Sequence, residues 1–135
     1  MGGVNNSITR VVIHCSDSPH GRNDDAREIH RWHTSPPRKW AGIGYHFVIT
    51  ETGERQAGRP WYWQGAHAHP HNLNSIGICM IGEHGDFTGA QLLELRALYN
   101  DLRSEWPDAE WLNHYQINPG KTCPGFDAVR FLEND

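Results

Sequence analysis

Apolar residues in this chain fall into short blocks separated by polar, Gly- and Pro-rich stretches, and the blocks differ in period. Residues 8–14, Ile-Thr-Arg-Val-Val-Ile-His, form a β-branched run that predicts a largely buried strand. It ends at His14 and passes into Cys-Ser-Asp-Ser-Pro, a loop signal. Over residues 24–33 the spacing becomes helical, with Ala26, Ile29 and His33 on one face. Asp25 and Glu28 have the spacing of a capping box, and Pro36-Pro37 stops the helix. Residues 44–50, Gly-Tyr-His-Phe-Val-Ile-Thr, predict a second strand, which the Glu51-Thr52-Gly53-Glu54 turn returns into a short partner over residues 55–58.

Residues 60–75 hold no regular period and are rich in Trp, His, Pro, Asn and Gly, a composition for an ordered surface loop. Residues 76–81 predict a third core strand. The best-specified element follows. Thr88 can cap a helix, Gln91 completes the capping box, and Phe87 can staple onto Leu92. Leu92, Leu95, Tyr99 and Leu102 then recur at helical spacing through Arg103, before Pro107 prevents continuation. Residues 109–114 predict a fourth main strand, followed by an Asn-Pro-Gly loop and a short helix near residues 127–132. Strands alternating with helices predict an α/β fold: a single domain with a central mixed β-sheet flanked by helices. That domain is expected over residues 8–135, with residues 1–7 expected to be disordered.

Composition narrows the function classes. Twelve Lys and Arg against sixteen Asp and Glu give a net charge of −4, which argues against a nucleic-acid partner. No run of about eighteen apolar residues occurs, so no membrane span is expected. The opening residues lack a basic-then-apolar signal layout, which points to synthesis in the cytoplasm, of a phage host or of the bacterium itself. Cys15, Cys79 and Cys123 are odd in number and dispersed, which disfavours a disulfide framework. Cys15 and Cys79 are expected to be core thiols. Ten His in 135 residues invite a metal hypothesis.

His14, His114 and Cys123 stand at predicted strand ends or in adjoining loops, where a sheet holds groups that remain accessible. Two imidazoles and one thiolate form a borderline-soft set suited to zinc. Three protein ligands leave the fourth tetrahedral position open, the catalytic arrangement. Pro119, Gly120, Pro124 and Gly125 constrain the loop between them. If residues 121–123 are extended, Lys121 and Cys123 point to the same side.

The motifs Val12-Ile13-His14-Cys15-Ser16, Arg27-Glu28-Ile29-His30-Arg31-Trp32-His33 and Gly44-Tyr45-His46-Phe47 occur in that order. They continue as Gly65-Ala66-His67-Ala68, Asn74-Ser75-Ile76-Gly77-Ile78-Cys79 and the segment from His114 to Gly125. In these six pieces the chain resembles the zinc-dependent N-acetylmuramoyl-L-alanine amidases of the phage-lysozyme and peptidoglycan-recognition-protein family, over roughly residues 10–128. The resemblance implies one zinc ion on His14, His114 and Cys123, with Tyr45 and Lys121 as catalytic helpers. It also places His67 at the groove entrance, in substrate contact or in support of the site. The implied substrate is bacterial peptidoglycan. The implied reaction is hydrolysis of the amide joining the lactyl group of N-acetylmuramic acid to L-alanine, by a phage endolysin or a bacterial wall-lytic enzyme.

Two other classes compete: a peptidoglycan-binding module without catalysis, and a partner-binding protein on the same fold. The complete ligand and helper set favours the enzyme. A monomer is expected. The alternation His67-Ala68-His69-Pro70-His71 suggests a second metal site, and Trp61 and Trp63 suggest apolar walls for sugar or peptide.

Overall fold

The computed structural model describes residues 3–134. The β-branched run near the N-terminus becomes β1 (Arg10–Cys15), and its central place decides the architecture. The other strands are β2 (Phe47–Ile49), β3 (Arg55–Ala57), β4 (Ser75–Met80) and β5 (Glu110–Asn113), in the order β3-β2-β4-β1-β5. β1 pairs in parallel with β4 and β5, and β2 in parallel with β4, while β3 returns antiparallel to β2. Parallel strands covered on both faces need apolar residues on both, and every residue of β4 is buried. The helices are α1 (Ala26–Thr34), α2 (Gly89–Glu105), α3 (His114–Ile117) and α4 (Ala128–Glu133). This is the mixed sheet with flanking helices that the sequence predicts.

Alternation along the strands divides the core in two. Val11, Ile13, Ile76, Ile78 and Met80 pack with Leu95, Leu98 and Leu102 of α2 and Leu132 of α4. On the other face, Val48 and Cys79 pack with Ile29 of α1, Ile43 and Ile81. His14 alternates with Ile13 and therefore lies on the α1 side of the sheet. The α2 capping box forms in full: Gln91 N donates to Thr88 Oγ1 at 3.1 Å, and Thr88 N donates to Gln91 Oε1 at 3.0 Å. Gln91 also donates to the Ile81 carbonyl at 2.8 Å, so the cap anchors the helix to the residue after β4.

Two expectations change. Asp25 caps α1 by accepting from Arg27 N and Glu28 N, but Glu28 pairs with Arg31 rather than completing a box. His114 does not end a strand; it opens the one-turn helix α3. Of the segment 1–7, Met1 and Gly2 lie outside the described residues, and Gly3–Ser7 lie within them. Asn5 is buried, donates to the carbonyls of Trp61 and Trp63, and accepts from Asn74 N, so its amide staples the segment to both ends of the β3–β4 loop.

Three histidines brace this face as neutral acceptors. His33 Nδ1 accepts from Gly44 N at 2.9 Å, His30 Nδ1 from Ile43 N at 3.2 Å, and His46 Nδ1 from Gly77 N at 3.0 Å. Burial, with Arg38, Arg59 and His30 adding, lowers His33 from 6.5 to about 4; burial also lowers His46. At His33 the unfolded chain therefore binds more protons below pH 6.5, and the stability this ring contributes is lost as pH falls from 6.5 through about 4. Melting temperature is expected to be flat above pH 7 and to drop across that window. His33→Gln, which keeps an acceptor, should shallow the drop; an unchanged slope would remove His33 from this role.

Candidate active site

The C-terminal end of β1 opens into a cleft of about 880 Å³. Its walls come from the residues after β1, the segment after α1 bearing Arg38 and Trp40, the loop around His67, and the loop from Asn118 to Cys123. His14, Tyr45, His67, His114, Lys121 and Cys123, dispersed over more than a hundred residues, all line it. The strand holds His14 rigidly at the floor, where it is only 2 % exposed.

Around His14 the rings form a chain. His14 Nδ1 lies 3.1 Å from His114 Nδ1, and His14 Nε2 lies 2.9 Å from His67 Nδ1. Tyr45 packs against His14 with ring centroids 5.2 Å apart. Burial, then the His67 and His114 rings, pushes His14 far below its ordinary value, and burial pushes His67 to about 3, so both are neutral. His67 hydrogen-bonds the Ser75 backbone, and its Nε2 lies 3.5 Å from the Ser75 hydroxyl. A proton on that nitrogen leaves His67 Nδ1 to accept from His14 Nε2. On the far side, His114 Nε2 is 2.8 Å from Asn118 Oδ1, an acceptor only. Both outer nitrogens then carry the protons, and the two Nδ1 lone pairs face each other.

Room for this stack comes from a missing side chain. A Cβ on Gly77 of β4 would sit 2.5 Å from His67 Cγ. Gly77→Ala is expected to displace His67 and destabilise the fold by about 1–3 kcal/mol, the usual range for overpacking. Thermal melts should show it, and an unshifted melting temperature would mean that His67 does not need that space.

The Cys123 thiol donates to the Cys15 carbonyl at 3.6 Å. Hydrogen bonds with the Cys15 thiol and the His114 ring hold Cys123 below its ordinary value, despite burial, whereas Cys15 is pushed up chiefly by Cys123. Cys15 is buried, as expected of a core thiol, and also borders the cleft; Cys79 is fully buried, as expected. Burial raises the Tyr45 phenol well above its ordinary value, with Cys79, Cys123 and Cys15 adding to the shift. Lys121 and Cys123 line the same cleft, as an extended segment would place them.

Among the described residues, no three His, Cys, Asp or Glu side chains surround one ion position. The donors nonetheless fit zinc in kind: two imidazoles with facing Nδ1 lone pairs, and a thiol of lowered pKa against one of them. A cation between the lone pairs would turn that repulsion into attraction. The His67-to-His71 alternation gathers no metal cluster among these residues either. Trp61 and Trp63 do not line the cleft: Trp61 packs on Trp106 at 5.0 Å, and Trp40 supplies the aromatic wall. Sequence reasoning did not single out Asn118, Arg38 or Trp40.

The sequence matches the family described as N-acetylmuramoyl-L-alanine amidase over residues 4–126. The chain belongs to that amidase family. It is 36% identical over 136 residues to an endolysin of Escherichia phage T7, covering 96% of this chain and 88% of the endolysin. It is similar to an N-acetylmuramoyl-L-alanine amidase of Mus musculus, 36% identical over 112 residues, which covers 75% of this chain but 20% of that protein. Among solved structures, the amidase LysC from Clostridium intestinale superposes with a TM-score of 0.79 at 28% identity, covering 90% of this chain and 78% of LysC. Bumblebee peptidoglycan recognition protein SA superposes at 0.84 with 25% identity, over 99% and 86% of the two chains. The amidase fold and the hydrolytic activity expected from the sequence motifs hold on these grounds.

Proposed function

We propose that the chain works as an endolysin that hydrolyses the amide between the lactyl group of N-acetylmuramic acid and L-alanine, using one zinc ion held by His14, His114 and Cys123. The observation that carries the metal reading is the 3.1 Å approach of the His14 and His114 Nδ1 atoms, whose outer nitrogens have their own partners in His67 and Asn118. When bound, zinc supplies Lewis-acid polarisation of the carbonyl and a water that is nucleophilic near neutral pH.

The chain's own groups supply the rest. Attack by water on the amide carbon puts negative charge on the carbonyl oxygen, and breaking the C–N bond requires a proton on the departing amine. Tyr45 keeps its proton because burial opposes the phenolate, so it serves as a hydrogen-bond donor at the cleft floor. Lys121 brings a flexible ammonium to the same cleft, able to stabilise the oxyanion or protonate the amine. His67 holds His14 in orientation from behind. All these groups belong to one chain, which supports a monomeric enzyme. Synthesis in the cytoplasm and action at the wall complete the reading; among the described residues no helix is long and apolar enough to cross a membrane.

Digestion of purified peptidoglycan tests this, with mass spectrometry of the products in the presence and absence of a chelator. Free stem peptides beginning at L-alanine, intact glycan strands and loss of release on chelation are expected. Cleaved sugar linkages, or release indifferent to chelation, would overturn it.

A further inference from the structure

The amide of Asn118 sits between two walls of the cleft and has only one consistent orientation. Its Nδ2 is 2.9 Å from the His69 backbone carbonyl. A carbonyl accepts and cannot donate, so the amide nitrogen must face it. That places Oδ1 against His114, 2.8 Å from Nε2. Oδ1 also cannot donate, so His114 Nε2 must carry the ring proton. The lone pair is thereby confined to Nδ1, the atom 3.1 Å from His14. A free imidazole has no such constraint, because either nitrogen can hold the proton.

Local structure explains the contact. His114 opens α3, and Asn118 N donates to the His114 carbonyl at 3.1 Å, one helical turn on. Residues four apart share a helix face, so the amide falls beside the imidazole. Pro119 then ends the turn, and the Lys121 amide donates to the Asn118 carbonyl at 3.1 Å. One residue thus joins His114, the His69 loop and the start of the Lys121–Cys123 segment.

We infer that Asn118 is a positioning residue: it locks His114 in the Nε2-protonated tautomer so that Nδ1 is presented as a metal ligand. The inference rests on the zinc reading above. A ligating histidine whose other nitrogen has a fixed hydrogen-bond partner binds metal more tightly, and removing such a partner commonly weakens affinity by about 10–100-fold. Asn118→Ala is expected to lose zinc affinity by that factor. Asn118→Asp separates the two contacts of the amide: its carboxylate still accepts from His114 Nε2 but offers nothing to the His69 carbonyl.

The experiment measures zinc affinity by chelator competition for the unmodified protein and both variants. It adds the ¹⁵N chemical shifts of the His114 ring in the metal-free proteins. The expected result is one tautomer, protonated at Nε2, in the unmodified protein and in Asn118→Asp, with affinities within a few-fold of each other. In Asn118→Ala the shifts should report mixed tautomers and the affinity should fall. Equal affinity in the alanine variant, or an aspartate variant no better than alanine, would overturn the inference. If the unmodified protein binds no zinc, the zinc reading fails separately. The metal-free shifts then still decide whether Asn118 sets the tautomer: an unchanged His114 pattern in Asn118→Ala would overturn it.

Discussion

Cys123→Ser is expected to reduce peptidoglycan hydrolysis by at least about 10³-fold while leaving the fold intact. The substitution is nearly isosteric, but a serine hydroxyl does not ionise near neutral pH as a thiol of lowered pKa does. Cys123 is that thiol here, hydrogen-bonded to Cys15 and His114. Lewis-acid stabilisation is worth several kcal/mol, and each 1.36 kcal/mol is tenfold in rate, which sets the size of the loss. His114→Ala should do the same and also release Asn118. Zinc content after dialysis, circular dichroism and product release together check this. A folded, zinc-poor Cys123→Ser protein with ordinary activity would remove the metal from the mechanism.

Lys121→Ala and Tyr45→Phe are expected to act differently: zinc retained, activity lower by about 10²–10³-fold, the usual loss when one oxyanion donor is removed. Tyr45→Phe keeps the ring that packs against His14 and Cys79 and deletes only the hydroxyl, so the fold should be unaffected. Lys121 is exposed at the cleft, and its removal leaves the backbone bond to Asn118 in place. The turnover number, not zinc content or melting temperature, should carry the loss. A zinc-loaded Lys121→Ala protein with full activity would free Lys121 of this role.

The elements were largely legible because their periods are clean. The β-branched run of β1, the alternation of β4 and the capping box of α2 each have one physical solution, and the structure adopts it. The residues proposed to hold the metal were picked out by motif order, since His14 and His114 lie a hundred residues apart and only the fold brings them together. What was not legible depended on partners distant in sequence. Nothing in the local pattern shows that His33 and His46 accept from Gly44 and Gly77. Asn5 looks like a tail residue until its amide is seen stapling the two ends of the β3–β4 loop. Asn118 was hidden by the reading of His114 as a strand end. A turn of helix there puts the i and i+4 side chains together, whereas a strand would not. Six of the ten histidines thus have a place: two as proposed metal donors, one as a ring behind His14, and three as backbone braces.

The zinc site proposed at the end of β1 uses two imidazoles and one thiolate. Zinc K-edge X-ray absorption on the purified, zinc-loaded chain tests it most directly. One ion per chain is predicted, with two nitrogens at about 2.0–2.1 Å and one sulfur at about 2.3 Å in its first shell. The sulfur should vanish in Cys123→Ser. A first shell of nitrogen and oxygen alone in the unmodified protein, or no stoichiometric zinc, would contradict the account.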